Sequence, residues 1–143
     1  MNIFTSRFLW AFCLSLTLLS AAWAEEGDEE GIAAPSALYH NLSPAFVANF
    51  GQGKTKKLKF VKAEISVRSS NPASIDEVVN HDALVRHQIV MLLSRQTEET
   101  LSNSIGQEAI RIEALNLVKA VLEKETGDGQ IEDLFFTSFV VQR

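Results

Sequence analysis

The stretch that most constrains this chain is residues 132–142, where Leu134, Phe135, Phe136, Phe139, Val140 and Val141 crowd into eleven positions at its C-terminal end. So apolar a run has to be tied into a core, because left exposed it would be a site of aggregation. Its shortness, its Phe and Val content and the glycines Gly127 and Gly129 just before it favour a strand over a helix. Strict alternation sends Leu134, Phe136 and Val140 to one face and Phe135, Phe139 and Val141 to the other, so both faces of this strand call for cover.

Partners for that strand are found upstream. Residues 38–50 read as extended, with Phe46, Ala48 and Phe50 on one parity and Pro44 marking an edge or a bulge. Gly51-Gln52-Gly53 breaks the run, and residues 57–68 resume it. There Val61, Ala63, Ile65 and Val67 alternate with Lys62, Glu64, Ser66 and Arg68, the pattern of a half-buried antiparallel strand. The two make a hairpin. Leu58 and Phe60 fall on the outward parity, which calls for a bulge near the turn or an apolar patch on the outer face.

Helices fill the gap between hairpin and final strand. Asn71-Pro72 can open one, as N-cap and first helical residue, with Ser74 and Glu77 as the competing capping box. Ile75, Val78, Val79, Val85, Ile89, Leu92 and Leu93 supply its buried stripe to about Ser94. Thr97 caps a short turn that ends near Leu101. Ser104 with Gln107 reads as the start of a second long helix, whose buried face is Ile110, Ala114, Leu117, Val118, Val121 and Leu122 and which stops before Gly127. Ile112 and Leu115 lie off that face and are candidate subunit or partner contacts, together with Phe135 and Phe139. The fold class expected is α+β: an antiparallel sheet of a hairpin plus a C-terminal strand, with two main helices packed on one face.

The N-terminal part is of another kind. Arg7 precedes an uncharged apolar run at residues 8–23, which closes on Ala22-Trp23-Ala24. That is the layout of a secretory signal cleaved after Ala24, the run being shorter than the roughly 20 residues of a spanning helix. A retained membrane segment is the competing reading of residues 1–24. Glu25, Glu26, Asp28, Glu29 and Glu30 make residues 25–37 an acidic disordered linker, and residues 38–143 form the domain. The single cysteine, Cys13, leaves with the signal, so the exported chain folds without disulfides. A net charge of −5, made more negative by loss of Arg7, argues against a nucleic-acid partner. Within that acidic chain Lys54, Lys56 and Lys57, with Lys59 and Lys62 nearby, collect at the hairpin tip. They are candidate contacts for an acidic partner or for anionic headgroups at the membrane periphery, against the plainer role of keeping an edge soluble.

Residues 48–55, ending in Gly53-Lys54-Thr55, satisfy a relaxed phosphate-loop pattern. A phosphate loop needs a helix start converging on the phosphates, whereas residues 57–68 alternate as a strand, so a glycine turn is the better reading. His40, His81 and His87 are spaced for neither a metal pair nor a shared base, and no cofactor site is suggested.

Taken in order, several strings resemble the FliL family of flagellar basal-body-associated proteins: residues 42–50 (LSPAFVANF), 60–67 (FVKAEISV), 92–97 (LLSRQT) with Leu101, and above all 131–142 (IEDLFFTSFVVQ). The resemblance implies a non-enzymatic periplasmic domain, related in fold to stomatin and prohibitin domains and associated with the inner membrane and basal body. It also implies homo-oligomers in a ring about a MotB-like stator protein, with a role in swimming and swarming. It carries over no catalytic residue and no cofactor. Typical members keep a spanning helix where this chain has a signal-like segment. A stomatin-type periplasmic scaffold or membrane-surface adaptor, unconnected with flagella, is the alternative.

Overall fold

The computed structural model describes residues 36–51 and 58–143. The expected cleavage site at Ala22 and Ala24, nearly all of the acidic linker, and Lys54, Lys56 and Lys57 lie outside the described residues. Strands β1 (Leu38–Asn49), β2 (Phe60–Ser69) and β3 (Asp133–Gln142) form one antiparallel sheet in that order. Helices α1 (Pro72–Asn80), α2 (Asp82–Ser94), α3 (Glu98–Ser102) and α4 (Ser104–Thr126) come between β2 and β3. This is the expected α+β arrangement.

Alternation explains the first two strands. Leu42, Phe46, Ala48 and Phe50 of the β1 segment face the core beside Val61, Ala63, Ile65 and Val67 of β2. The irregularity expected at Pro44 is a bulge between Leu42 and Phe46. β2 pairs without interruption from Phe60 to Ala63, so the off-parity Phe60 belongs to the outer face and not to a bulge of its own.

β3 corrects the simple parity. Its register with β2 shifts at Thr137, where Glu64 pairs with Ser138 while Ile65 pairs with Phe136. The extra residue flips the alternation. Leu134 and Phe136 therefore share the core side with Phe139 and Val141, and Val140 is the residue that points out. Phe136 and Phe139 touch across the bulge, ring centroids 4.8 Å apart.

The helices are set by their caps. Asn71 is the cap of α1, accepting from Ala73 N at 3.0 Å with Pro72 behind it, while Ser74 is buried. The single helix expected to Ser94 is broken at His81, whose ψ of 20° leaves the helical range. The break resets the helical phase, so Val79 lies 50% exposed instead of joining the stripe. Thr97 caps α3 as expected, through Thr100 N. α4 is capped one residue earlier than expected, by Asn103 accepting from Gly106 N at 2.7 Å, and Gln107 turns instead to Leu101 O. Gly127, at φ 78°, ends α4 in the left-handed conformation that glycine adopts without strain. Val85, Ile89, Leu92 and Leu93 of α2 and Ile110, Ala114, Val118 and Leu122 of α4 then close the core over one face of the sheet.

Candidate interaction surfaces

Among the described residues the helices all pack on one side of the sheet and leave its other face bare. Its rows run Tyr39–Arg68–Asp133, Asn41–Ser66–Phe135, Val47–Lys62–Val140 and Asn49–Phe60–Gln142. Tyr39 and Phe135, which the sequence does not place together, meet across β2 at 6.2 Å between ring centroids. Tyr39, Val47 and Val140 are each at least half exposed. This face mixes apolar and polar groups, as an antiparallel sheet with one wet side does.

A second surface is the flank where β3 forms the edge of the sheet. Arg111, on α4, reaches down to it. Its guanidinium bonds the Asp133 carboxylate, donates to Leu134 O at 2.9 Å, and pairs with Glu108 one turn back at 2.7 Å. The hydrogen bond from Arg111 holds the Glu108 carboxyl below its ordinary range. Burial pushes Asp133 up, but the Leu134 amide and then Arg111 outweigh it and leave its carboxyl lowered. Arg111 in turn is raised, first through its bond to Glu108. Leu115 follows Arg111 by one helical turn and packs half-buried with Phe136, Phe139 and Val141 against the core.

Third, α2 and α4 leave between them a groove of about 250 Å³ lined by Leu84, Gln88, Leu117, Ala120, Val121, Lys124 and Glu125. Near it Arg86 ties α2 to the β1 bulge: it donates to Pro44 O at 2.8 Å, pairs with Asp82, and stacks 4.7 Å above the Phe46 ring.

The four residues singled out as contacts thus do not form one patch. Phe135 sits on the bare face. Leu115, on α4, and Phe139, on β3, are each half-buried against the core, so the domain itself already covers part of both. Ile112 lies on the outer side of α4, 47% exposed, two turns after the exposed Ile105. Of the five lysines near the hairpin tip, Lys59 is paired with Glu98 at 2.5 Å and Lys62 with Glu64 at 3.5 Å. The bond from Lys59 lowers the Glu98 carboxyl. Both of these charges are therefore partly neutralised.

The Gly-Lys-Thr string lies outside the described residues, but Phe50 N donates to Lys59 O at 3.2 Å and the element that begins at Phe60 is strand β2, where a phosphate loop needs a helix. Among the described residues no group of three or more His, Cys, Asp or Glu converges as metal ligands would, and no helix is long and apolar enough to cross a membrane. The sequence alone does not mark out Arg111, Asp133 or Arg86. Glu108 and Arg111 at i, i+3 offer a weak signal of a helix pair, but none of the reach to β3.

The order β-β-α-α-α-α-β, the bulged first strand and the apolar closing strand together bear on kinship. The family model described as flagellar basal body-associated protein FliL matches residues 39–142. The chain belongs to the FliL family. The match runs from the second residue of β1 to the last of β3, so the FliL homology and the folded domain are the same object. A comparison with curated proteins gave no match.

Proposed function

We propose that this FliL-family protein is a periplasmic accessory of the flagellar motor, which assembles as a homo-oligomer and supports a MotB-like stator during swimming and swarming. The observation that carries the reading is the family match over the whole of the domain. The fold is compatible with it: a small helix-backed sheet with a bare face and an open edge offers surfaces for assembly. On this reading residues 1–24 direct export and are removed after Ala24, and residues 25–37 tether the domain. Phe135 and Ile112 contribute to partner contact on separate surfaces, Leu115 and Phe139 to the β3 flank. Lys54, Lys56 and Lys57 meet an acidic partner or the headgroups of the inner membrane at the basal body.

The test is a clean deletion with plasmid complementation. Spreading through stiff agar, where the motor works under load, should fall and be restored by the plasmid, with growth and filament assembly unchanged. A deletion strain that spreads like its parent at every agar stiffness refutes the motor role. Intact mass of the exported form reads the other half of the proposal: a chain starting at Glu25 supports cleavage, and a retained N-terminus opposes it.

A further inference from the structure

A strand at the edge of a sheet carries a row of backbone donors and acceptors that the sheet does not use. The hydrogen bonds fix which residues of β3 carry them. Phe50 N donates to Lys59 O, so the odd-numbered residues of β2 turn their amides toward β1 and the even-numbered ones toward β3. Glu132 N, which donates to Arg68 O at 2.9 Å, agrees. Asp133, Phe135, Ser138, Val140 and Gln142 therefore direct their amides to β2, and Leu134, Phe136, Phe139 and Val141 aim theirs off the sheet.

One of these four is closed. Leu134 N donates to Asp133 Oδ1 at 2.8 Å, and Leu134 O accepts from Arg111. Among the described residues no side chain bonds the outward amides of Phe136, Phe139 or Val141. The same stretch is apolar at its sides, with Phe136, Phe139 and Val141 half-buried and Val140 50% exposed, and it holds no charged residue from Leu134 to Val141. β1, the other edge, is interrupted by the bulge at Pro44 and by Arg86.

We propose that two copies of this chain join through β3, edge to edge and antiparallel, so that the sheet continues across a two-fold axis. The proposal rests on the homo-oligomer reading above and names the surface of one pairwise contact within it; a two-fold joint closes at two copies, so a larger ring needs a second surface besides. An antiparallel edge is its own complement under a two-fold rotation. An uncharged edge meets no like charge when set against itself. The bulge at Thr137 selects the register. Centring the axis on Val140 uses only the regular part of the strand and places Phe139 against Val141 as hydrogen-bonded pairs, for about four new backbone bonds. Val140 then lies opposite Val140 in a non-hydrogen-bonded pair on the bare face, and the half-exposed Phe139 and Val141 side chains cover each other on the helix side.

The test uses the full chain. In a Cys13→Ser background, Val140→Cys places one thiol on the axis, where the Cα separation of such a pair, about 4.5 Å, suits a disulfide. Mild oxidation should give a dithiothreitol-sensitive dimer, and Val79→Cys on α1 in the same background should not. Separately, Val141→Pro removes one outward N–H and no bond of the β2–β3 ladder, so the fold should survive. Its far-ultraviolet circular dichroism should match the parent while its sedimentation mass falls to that of the monomer. Cross-linking of Val140→Cys no greater than that of Val79→Cys overturns the proposal, as does a folded Val141→Pro that keeps the parent's mass. If those results accompany an oligomeric parent, the edge is wrong and the homo-oligomer reading stands. A parent that sediments as a monomer at every concentration removes both.

Discussion

Replacing Gly106 by Ala sets two effects of opposite sign against each other. As a helical residue Ala is favoured over Gly by about 0.8–1 kcal/mol, so on propensity alone the change stabilises α4. But Gly106 is where α4 passes α3, and a Cβ there would stand 2.1 Å from Thr100 O and 2.8 Å from Thr100 C. These are backbone atoms, which cannot swing aside as a side chain would. α3 is also pinned, by its Thr97 cap and by Leu101, whose side chain is fully buried. Relief requires the two helices to part by about 1 Å, an overpacking cost of about 3 kcal/mol at the upper end of the usual range. The cap from Asn103 to Gly106 N lies in the same turn, and its distortion adds about 1 kcal/mol. The net is a loss of about 3 kcal/mol. At about 4–8 °C per kcal/mol for a domain of this size, the melting temperature should drop by roughly 12–24 °C. Thermal and urea denaturation followed by circular dichroism will measure it, with the exposed Asn116→Ala on the same helix as a control expected within about 0.5 kcal/mol of the parent. A Gly106→Ala protein that melts at or above the parent temperature would show that α3 and α4 do not approach as described.

Leu134→Ala, at a fully buried core position, should cost about 3 kcal/mol in urea denaturation, whereas Phe135→Ala on the bare face should cost less than about 1 kcal/mol; equal losses would contradict the assigned faces. Gly127→Ala forces a side chain into φ 78° and should lower stability by about 1 kcal/mol, with an unchanged midpoint counting against the left-handed cap. Because Glu98, Glu108, Glu132 and Asp133 are all lowered in the folded chain, their contribution is complete above the unfolded carboxylate range and is lost as pH falls through the folded values. Melting temperature should accordingly hold level from pH 7 to about 5 and then decline, and Arg111→Gln should make that decline shallower by releasing Glu108 and Asp133; an unaltered acid profile would refute the Arg111 linkage.

How much of the fold is legible in the sequence depends on whether a residue's role is set by its neighbours in the chain. Val61, Ala63, Ile65 and Val67 announce their face by alternation alone, and Phe46, Ala48 and Phe50 do the same. Thr97 and Gly127 act within one turn, and both are readable. The bulge in β3 is not, since Thr137 and Ser138 are ordinary strand residues and only pairing with Glu64 and Ile65 reveals the extra position. Strict alternation puts Phe139 and Val141 on the wrong face for that reason alone. The break at His81 is similarly silent, because Asn80, His81 and Asp82 are all tolerated in a helix. At the α4 start Asn103 and Ser104 are both good caps, and the choice falls to the one whose oxygen reaches Gly106 N. The surfaces are least legible: Tyr39 with Phe135, and Arg111 with Asp133, are brought together only by the finished sheet.

The position of β3 also governs when the domain can form. β1 and β2 are neighbours in sequence and can pair early, but β2 receives its second partner only after all four helices have been made. Until then Ile65 and Val67 lack Phe136 and Leu134 beside them, and α4 has no strand on which to settle its Arg111. A chain synthesised from its N-terminus, or threaded through a membrane in that direction, thus stays an incomplete sheet with hydrophobic residues uncovered until residue 142 is free. Folding is held back until β3 has emerged by the order of the strands themselves, and a truncation that removes β3 leaves a chain that cannot close its core at all.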